Sequence, residues 1–135
     1  MIVVDTSALV AIVFDEPERA AFIDIIQRSD RALISTPTVV ETRLVVHGRR
    51  GQRAVVLLDD LLRQPPFELV APGEAEALAA YSAFVTFGKG SGHSAALNYG
   101  DLFSYALAKV RNLPLLYKGN DFAQTDIDSA AELPA

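Results

Sequence analysis

The chain has 135 residues, half of them apolar, no cysteine and a formal net charge of −5. That length suits one domain, 1–135, with a real core; disulfides and thiolate metal sites are excluded, and no apolar run approaches the ~20 residues of a membrane span. No basic-then-apolar leader opens the chain, so cytoplasmic residence is expected. The acidic balance argues mildly against a nucleic-acid partner, unless several acids are neutralised by a metal.

Ile2, Val3 and Val4 form a β-branched run ending on Asp5, the pattern of a short strand buried on both faces. Ser7 can cap a helix to about Phe14. Asp15-Glu16-Pro17 opens the next helix, with Ala21, Phe22, Ile25 and Ile26 inward and Ser29-Asp30 at its end. Ala32–Ser35 reads as a strand. Thr36-Pro37 starts a helix that runs to about His47 and stops at Gly48. A separate helix is expected over 53–63, with Val55, Leu58 and Leu62 on one side, broken by Gln64-Pro65-Pro66. Phe67–Val70 is a strand and Pro72-Gly73 a turn. Glu74 to about Phe87 is helical, with Leu78, Ala80, Tyr81 and Phe84 inward. Gly88–His93 is a glycine loop, and 94–99 at most a helical turn. A helix follows from Gly100-Asp101 to Arg111, then a strand at Leu115–Tyr117 and a tight turn to Asp121. Strands alternating with helices predict an α/β fold, a three-layer α/β/α sandwich with a mostly parallel central sheet.

Four acids stand where the carboxyl edge of such a sheet can gather them, the edge at which open α/β sheets bind ligands. Asp5 ends the first strand, with the hydroxyls of Thr6 and Ser7 beside it. Glu41 lies beside a buried helical stripe and needs compensation for its charge. Asp101 opens a helix and Asp121 follows the last strand; each also suits a cap or a turn. Four converging carboxylates repel one another and raise their own pKa values, so a cation must accompany them. Oxygen-only donors suit Mg²⁺ or Mn²⁺ rather than zinc. Such an ion makes bound water a better nucleophile and shields charge developing on phosphorus, which fits phosphodiester hydrolysis. Asp126 is a weaker fifth candidate and His93 a lone histidine among glycines.

The segments Val3-Val4-Asp5-Thr6-Ser7, Ser35-Thr36-Pro37 with Glu41, Leu97-Asn98-Tyr99-Gly100-Asp101 and Gly119-Asn120-Asp121-Phe122 occur in that order along the whole chain. Together they resemble the PIN-domain ribonucleases, specifically the VapC-type toxins of toxin–antitoxin pairs. The resemblance implies the PIN sandwich and Mg²⁺- or Mn²⁺-dependent endoribonuclease activity. It implies Asp5, Glu41, Asp101 and Asp121 as the acidic quartet, with Thr6, Ser7 and Asn120 as polar neighbours. It also implies a homodimer, a cognate antitoxin, and a structured RNA substrate such as tRNA or rRNA. RNA contacts would fall to Arg43, Arg49 and Lys89, with His47, Arg50 and Lys118 completing a basic rim. The run from Arg43 to Arg53 reads equally well as a solvated helix end.

Rival readings also begin with a strand that ends in Asp. A haloacid-dehalogenase-like phosphatase wants a second Asp two residues later, where Ser7 stands. A receiver domain wants a Lys near its last strand, a place Lys118 could fill, and an acidic neighbour that Asp5 lacks. A catalytically silent PIN-fold binding module is the third alternative. The glycine loop lacks the order of a phosphate-binding P-loop.

Overall fold

The computed structural model describes residues 1–132, so the last three residues of the single domain expected over 1–135 lie outside the described residues. Four strands form one sheet: β1 (Ile2–Val4), β2 (Ala32–Ser35), β3 (Phe67–Val70) and β4 (Leu115–Leu116). Their order is β3-β2-β1-β4, and every pairing is parallel. Val3 is in register with Leu33 on one side and Leu115 on the other. β1 is therefore central, which is why its side chains carry no polar alternation.

The two-residue period of the strands divides the core. Ile2, Val4, Ala32, Ile34 and Leu116 face α1 (Thr6–Val13), α2 (Arg19–Gln27) and α3 (Thr36–Leu62), packing on Leu9, Phe22, Val46 and Leu58. Val3, Leu33 and Leu115 face α4 (Glu74–Phe87) and α5 (Tyr99–Arg111), packing on Ala80, Ala83, Tyr105 and Leu107. This is the expected α/β/α sandwich. Two short 3-10 turns, Phe122–Gln124 and Ala130–Glu132, close the C-terminal side. No helix among the described residues is long and apolar enough to cross a membrane.

The structure corrects several element-level expectations: Ala21, expected inward on α2, is exposed, and α1 is capped by Asp5 and not by Ser7. The helix expected to stop at Gly48 continues, and the break falls at Gly51, where φ is 76° and ψ −172°. Only glycine adopts that backbone readily. The last strand is two residues long and excludes Tyr117. Residues 94–99 are not a helical turn; Leu97 instead bridges to Gly88 across the glycine loop. On α4 the inward residues are Ala80 and Ala83, whereas Leu78, Tyr81 and Phe84 are exposed. α4 is apolar on nearly every side, so periodicity could not orient it. The close seam with α5 admits small residues.

Candidate active site

The carboxyl ends of β1 and β4 lie side by side, and this is where the first acid sits. The Asp5 amide donates to Leu116 O at 3.0 Å. Asp5 is also the N-cap of α1, accepting from the Ser7 amide at 3.0 Å. The capping role and a site role thus coexist. Its Oδ2 accepts a second bond from Ser7 Oγ at 2.7 Å, and its Oδ1 accepts from Ser104 Oγ at 2.6 Å. Asp5 is only 3% exposed, so these donors are what make its burial tolerable.

Glu41 comes from α3, about one turn after Pro37. Thr6 Oγ1 donates to its Oε1 at 2.6 Å. Gly100, at the start of α5, lies so close that a Cβ there would run into the Glu41 carboxylate. Burial, and then the charge of Asp5, push the Glu41 carboxyl above its ordinary value against the pull of the Thr6 bond.

Asp101 is not itself the N-cap of α5. Asn98 is, and Asp101 completes a capping box: the Asp101 amide donates to Asn98 Oδ1 at 2.9 Å, and Asp101 Oδ2 accepts from the Asn98 amide at 2.9 Å. That leaves Oδ1 of Asp101 for the site. Burial pushes the Asp101 carboxyl up to about 7; the Asn98 bond opposes this, while the charges of Asp5, Asp121 and Glu41 add to it. Burial plus specific like charges raise a carboxyl in this way, and such clusters recur at functional sites as well as in structural networks.

Asp5, Thr6, Ser7, Glu41, Asn98 and Asp101 line one cleft of about 410 Å³, together with Glu16, Arg49 and Lys118. Asp121 is exposed ahead of the first 3-10 turn, within electrostatic reach of Asp101 but not in the cleft lining. Asn120 is exposed beside it. Among the described residues, no three acidic or histidine side chains stand poised to close on one ion. The donor set still fits a hard cation in kind, because it is all oxygen and the carboxylates repel one another without a counter-charge.

Three hydroxyls escaped the sequence reading as site residues. Ser104, Thr38 and Thr42 are completely buried or nearly so. Thr38 Oγ1 stands 3.3 Å from Ser104 Oγ, and since Ser104 gives its proton to Asp5, Thr38 is the donor in this pair. Thr42 Oγ1 donates to Thr38 O at 2.7 Å and stands 2.9 Å from Thr6 Oγ1. Ser104 lies three residues after Asp101 on one helix face, which is the signal that could have found it.

The expected basic rim is partly dismantled. Arg43 is bound to Asp59, with Nη2 to Oδ1 at 2.8 Å. Lys118 Nζ sits 3.0 Å from Glu16 and 3.1 Å from Glu18. Ser7, where a phosphatase of the haloacid-dehalogenase kind needs an acid, instead holds Asp5 in place. Lys89 is exposed in the glycine loop and outside the cleft lining. Asp126 is taken up elsewhere, accepting from Tyr105 Oη at 2.6 Å and Lys109 Nζ at 2.8 Å. His93 Nδ1 accepts from the Ala95 amide at 3.0 Å and braces its own loop.

The family profile described as "PIN domain" matches residues 2–128. This chain belongs to the PIN-domain family. Within it the relatives are VapC ribonucleases: Ribonuclease VapC30 of Mycobacterium tuberculosis is 46% identical over 129 residues, covering 96% of this chain and 98% of the relative. Solved structures share the PIN fold at low identity. VapC20 of M. tuberculosis, described as a sarcin-ricin loop cleaving toxin, superposes with a TM-score of 0.76 at 16% identity, covering 94% of this chain and 96% of that one. A toxin–antitoxin complex from Klebsiella pneumoniae gives a TM-score of 0.68 at 17% identity, covering 98% and 100%. The chain is thus a VapC-type PIN ribonuclease, and the acids that converge in the cleft lie within the residues the family profile matches.

Proposed function

We propose that this VapC-type ribonuclease is a Mg²⁺- or Mn²⁺-dependent endonuclease that hydrolyses RNA phosphodiester bonds at the Asp5–Glu41–Asp101 cleft. The observation that carries the proposal is the convergence of three buried or half-buried carboxylates from three separate elements, with Asp101 pushed up to about 7. Asp5, Glu41 and Asp101 would hold the ion once it draws their side chains together, with Asp121 at the rim. When bound, such an ion supplies an activated water and shields charge on the phosphate.

The chain's own residues prepare that event. Ser7 and Ser104 fix both oxygens of Asp5, and Thr6 aims Glu41. The Asn98 box turns Asp101 so that one oxygen faces the cleft. Asp101, raised to about 7 by burial, would hold an ion in its deprotonated form, so ion binding would strengthen as pH rises through that value.

The deciding experiment incubates RNA with the protein in Mg²⁺, in EDTA, and with Asp5→Asn. Cleavage in Mg²⁺ alone is expected. Equal cleavage in EDTA or by the variant overturns the mechanism.

The remaining partners follow the same reading. A cognate antitoxin is supported by the toxin–antitoxin complex that shares this fold. RNA such as tRNA or rRNA is the substrate class, and the cytoplasm the place where both are met. A homodimer is supported by the groove of about 590 Å³ between α3 and α5, whose walls include the exposed Val40, Leu44 and Tyr99. Sedimentation of a monomer at micromolar concentration would remove that part.

A further inference from the structure

Seven of the twelve Lys and Arg side chains are tied up in ion pairs: Arg19, Arg28, Arg31, Arg43, Arg63, Lys109 and Lys118. Among the described residues, five make no such pair, and three of these, Arg49, Arg50 and Arg53, stand together at the kink of α3. Arg49 and Arg50 both lie over the Phe14 ring, at 5.6 and 4.8 Å from its centroid. Arg49 also lines the acidic cleft. It is the one cation of that lining without a carboxylate partner, since Lys118 is held by Glu16 and Glu18.

The spacing along α3 is regular. Glu41, Val45 and Arg49 are four residues apart and all line the cleft, so they share one helix face. Eight residues of helix set Arg49 ~12 Å from Glu41 along the axis. A guanidinium there cannot touch the phosphate being cut beside Glu41, but it can reach a phosphate further along the same strand. Phe14 closes α1, whose other end is Asp5. One rigid helix thus fixes both the acid and the ring on which the arginines rest. A planar guanidinium laid on an aromatic face keeps its outer N–H donors free in a set orientation, and that fork suits a phosphate.

We propose that Arg49 and Arg50, held on Phe14, form a phosphate-binding subsite for the RNA backbone flanking the scissile bond. The subsite rests on the ribonuclease reading above. It accounts for how a chain of net charge −5 seats a polyanion: Arg49 lines the cleft without a carboxylate partner, and Arg50 shares its aromatic support.

The test measures binding of a labelled single-stranded RNA oligonucleotide to the full Asp5→Asn chain in Mg²⁺ across a salt series. Adding Arg49→Gln and Arg50→Gln should reduce the slope of log affinity against log salt by ~1.4, two contacts at about 0.7 each for single strands. Arg111→Gln, at the far end of α5, serves as the comparison and should leave the slope unchanged. In steady-state cleavage by the otherwise native chain, Arg49→Gln and Phe14→Leu should raise KM several-fold with kcat kept. An unchanged salt slope in the double variant of a chain that binds and cleaves RNA overturns the subsite alone. Loss of slope equal to that of Arg111→Gln does the same, by showing only a general charge effect. Failure of the parent chain to bind or cleave RNA overturns the subsite together with the ribonuclease reading.

Discussion

Ser104 is the residue on which the posture of Asp5 most depends. Its hydroxyl reaches Asp5 Oδ1 at 2.6 Å in a place closed to water. Removing one donor from a buried acceptor costs about 1–3 kcal/mol. Ser104→Ala should lose that much stability in urea unfolding without divalent ions, and its cleavage rate should fall; parent-like values on both counts would show the bond to be idle. Asp101 offers a second test, through pH. Its carboxyl titrates higher in the folded chain, at about 7, than in the unfolded one, at roughly 4. The folded state therefore binds the extra proton between those values, and stability falls as pH rises through the window. Glu41, also raised by burial, works in the same direction. Asp101→Asn keeps an oxygen for the Asn98 amide, so the helix start survives and the pH slope should flatten. Melts in chelator at pH 5 and 7.5 would show it, and parallel curves for parent and variant would refute it. The acids themselves were legible in the sequence, because charge at the end of a buried strand or beside a buried stripe demands a reason. The hydroxyls were not, because a Ser or Thr on a helix has no demand of its own until a partner 66 or 99 residues away arrives. The ion pair of Arg43 was illegible for the same reason: Asp59, its partner, is brought to it by the turn of α3.

At the scale of elements, the join of α3 to α5 decides where Glu41 points. Gly100 allows the start of α5 to rest against the Glu41 carboxylate. Gly100→Ala should leave stability within about 1 kcal/mol of the parent, since alanine favours the helix and a Glu side chain can swing aside. Cleavage should nevertheless fall at least tenfold, because the displaced carboxylate is the one the cleft requires; full activity with an unshifted Tm would show that Glu41 had room. The kink of α3 is a different matter. Gly51→Ala forces a backbone that L-residues seldom adopt, at about 1–3 kcal/mol, and a loss of stability by thermal melt should report it. The helices themselves were legible from Pro, Gly and the apolar repeat. The kink was placed three residues early, because Gly48 and Gly51 look alike in sequence and only the packing of Ala54, Val55 and Leu58 against α1 and α2 distinguishes them. The orientation of α4 was illegible, since a helix apolar on most sides carries no directional signal.

For the whole molecule, an ion bound only by the folded chain must raise its stability. At a hundredfold excess over Kd the gain is about 2.7 kcal/mol, a rise on the order of 10 °C in Tm for a domain of this size. Mg²⁺ or Mn²⁺ should produce it in the parent and not in Asp5→Asn; an identical rise in both would place the ion elsewhere. The three-layer plan was legible because β-branched runs alternate with long amphipathic stretches. The order of the strands was not, because nothing in a two-residue strand such as Leu115–Leu116 names its neighbour. That neighbour is β1, from the opposite end of the described sheet sequence. A chain still emerging from the ribosome has already exposed Asp5 and Glu41 but has neither Asp101 nor the closing strand that sets Asp5 in its place. Such long-range closure is slow and comes late. The place of Asp5 is therefore completed only when the last strand of the sheet pairs with the strand that carries it.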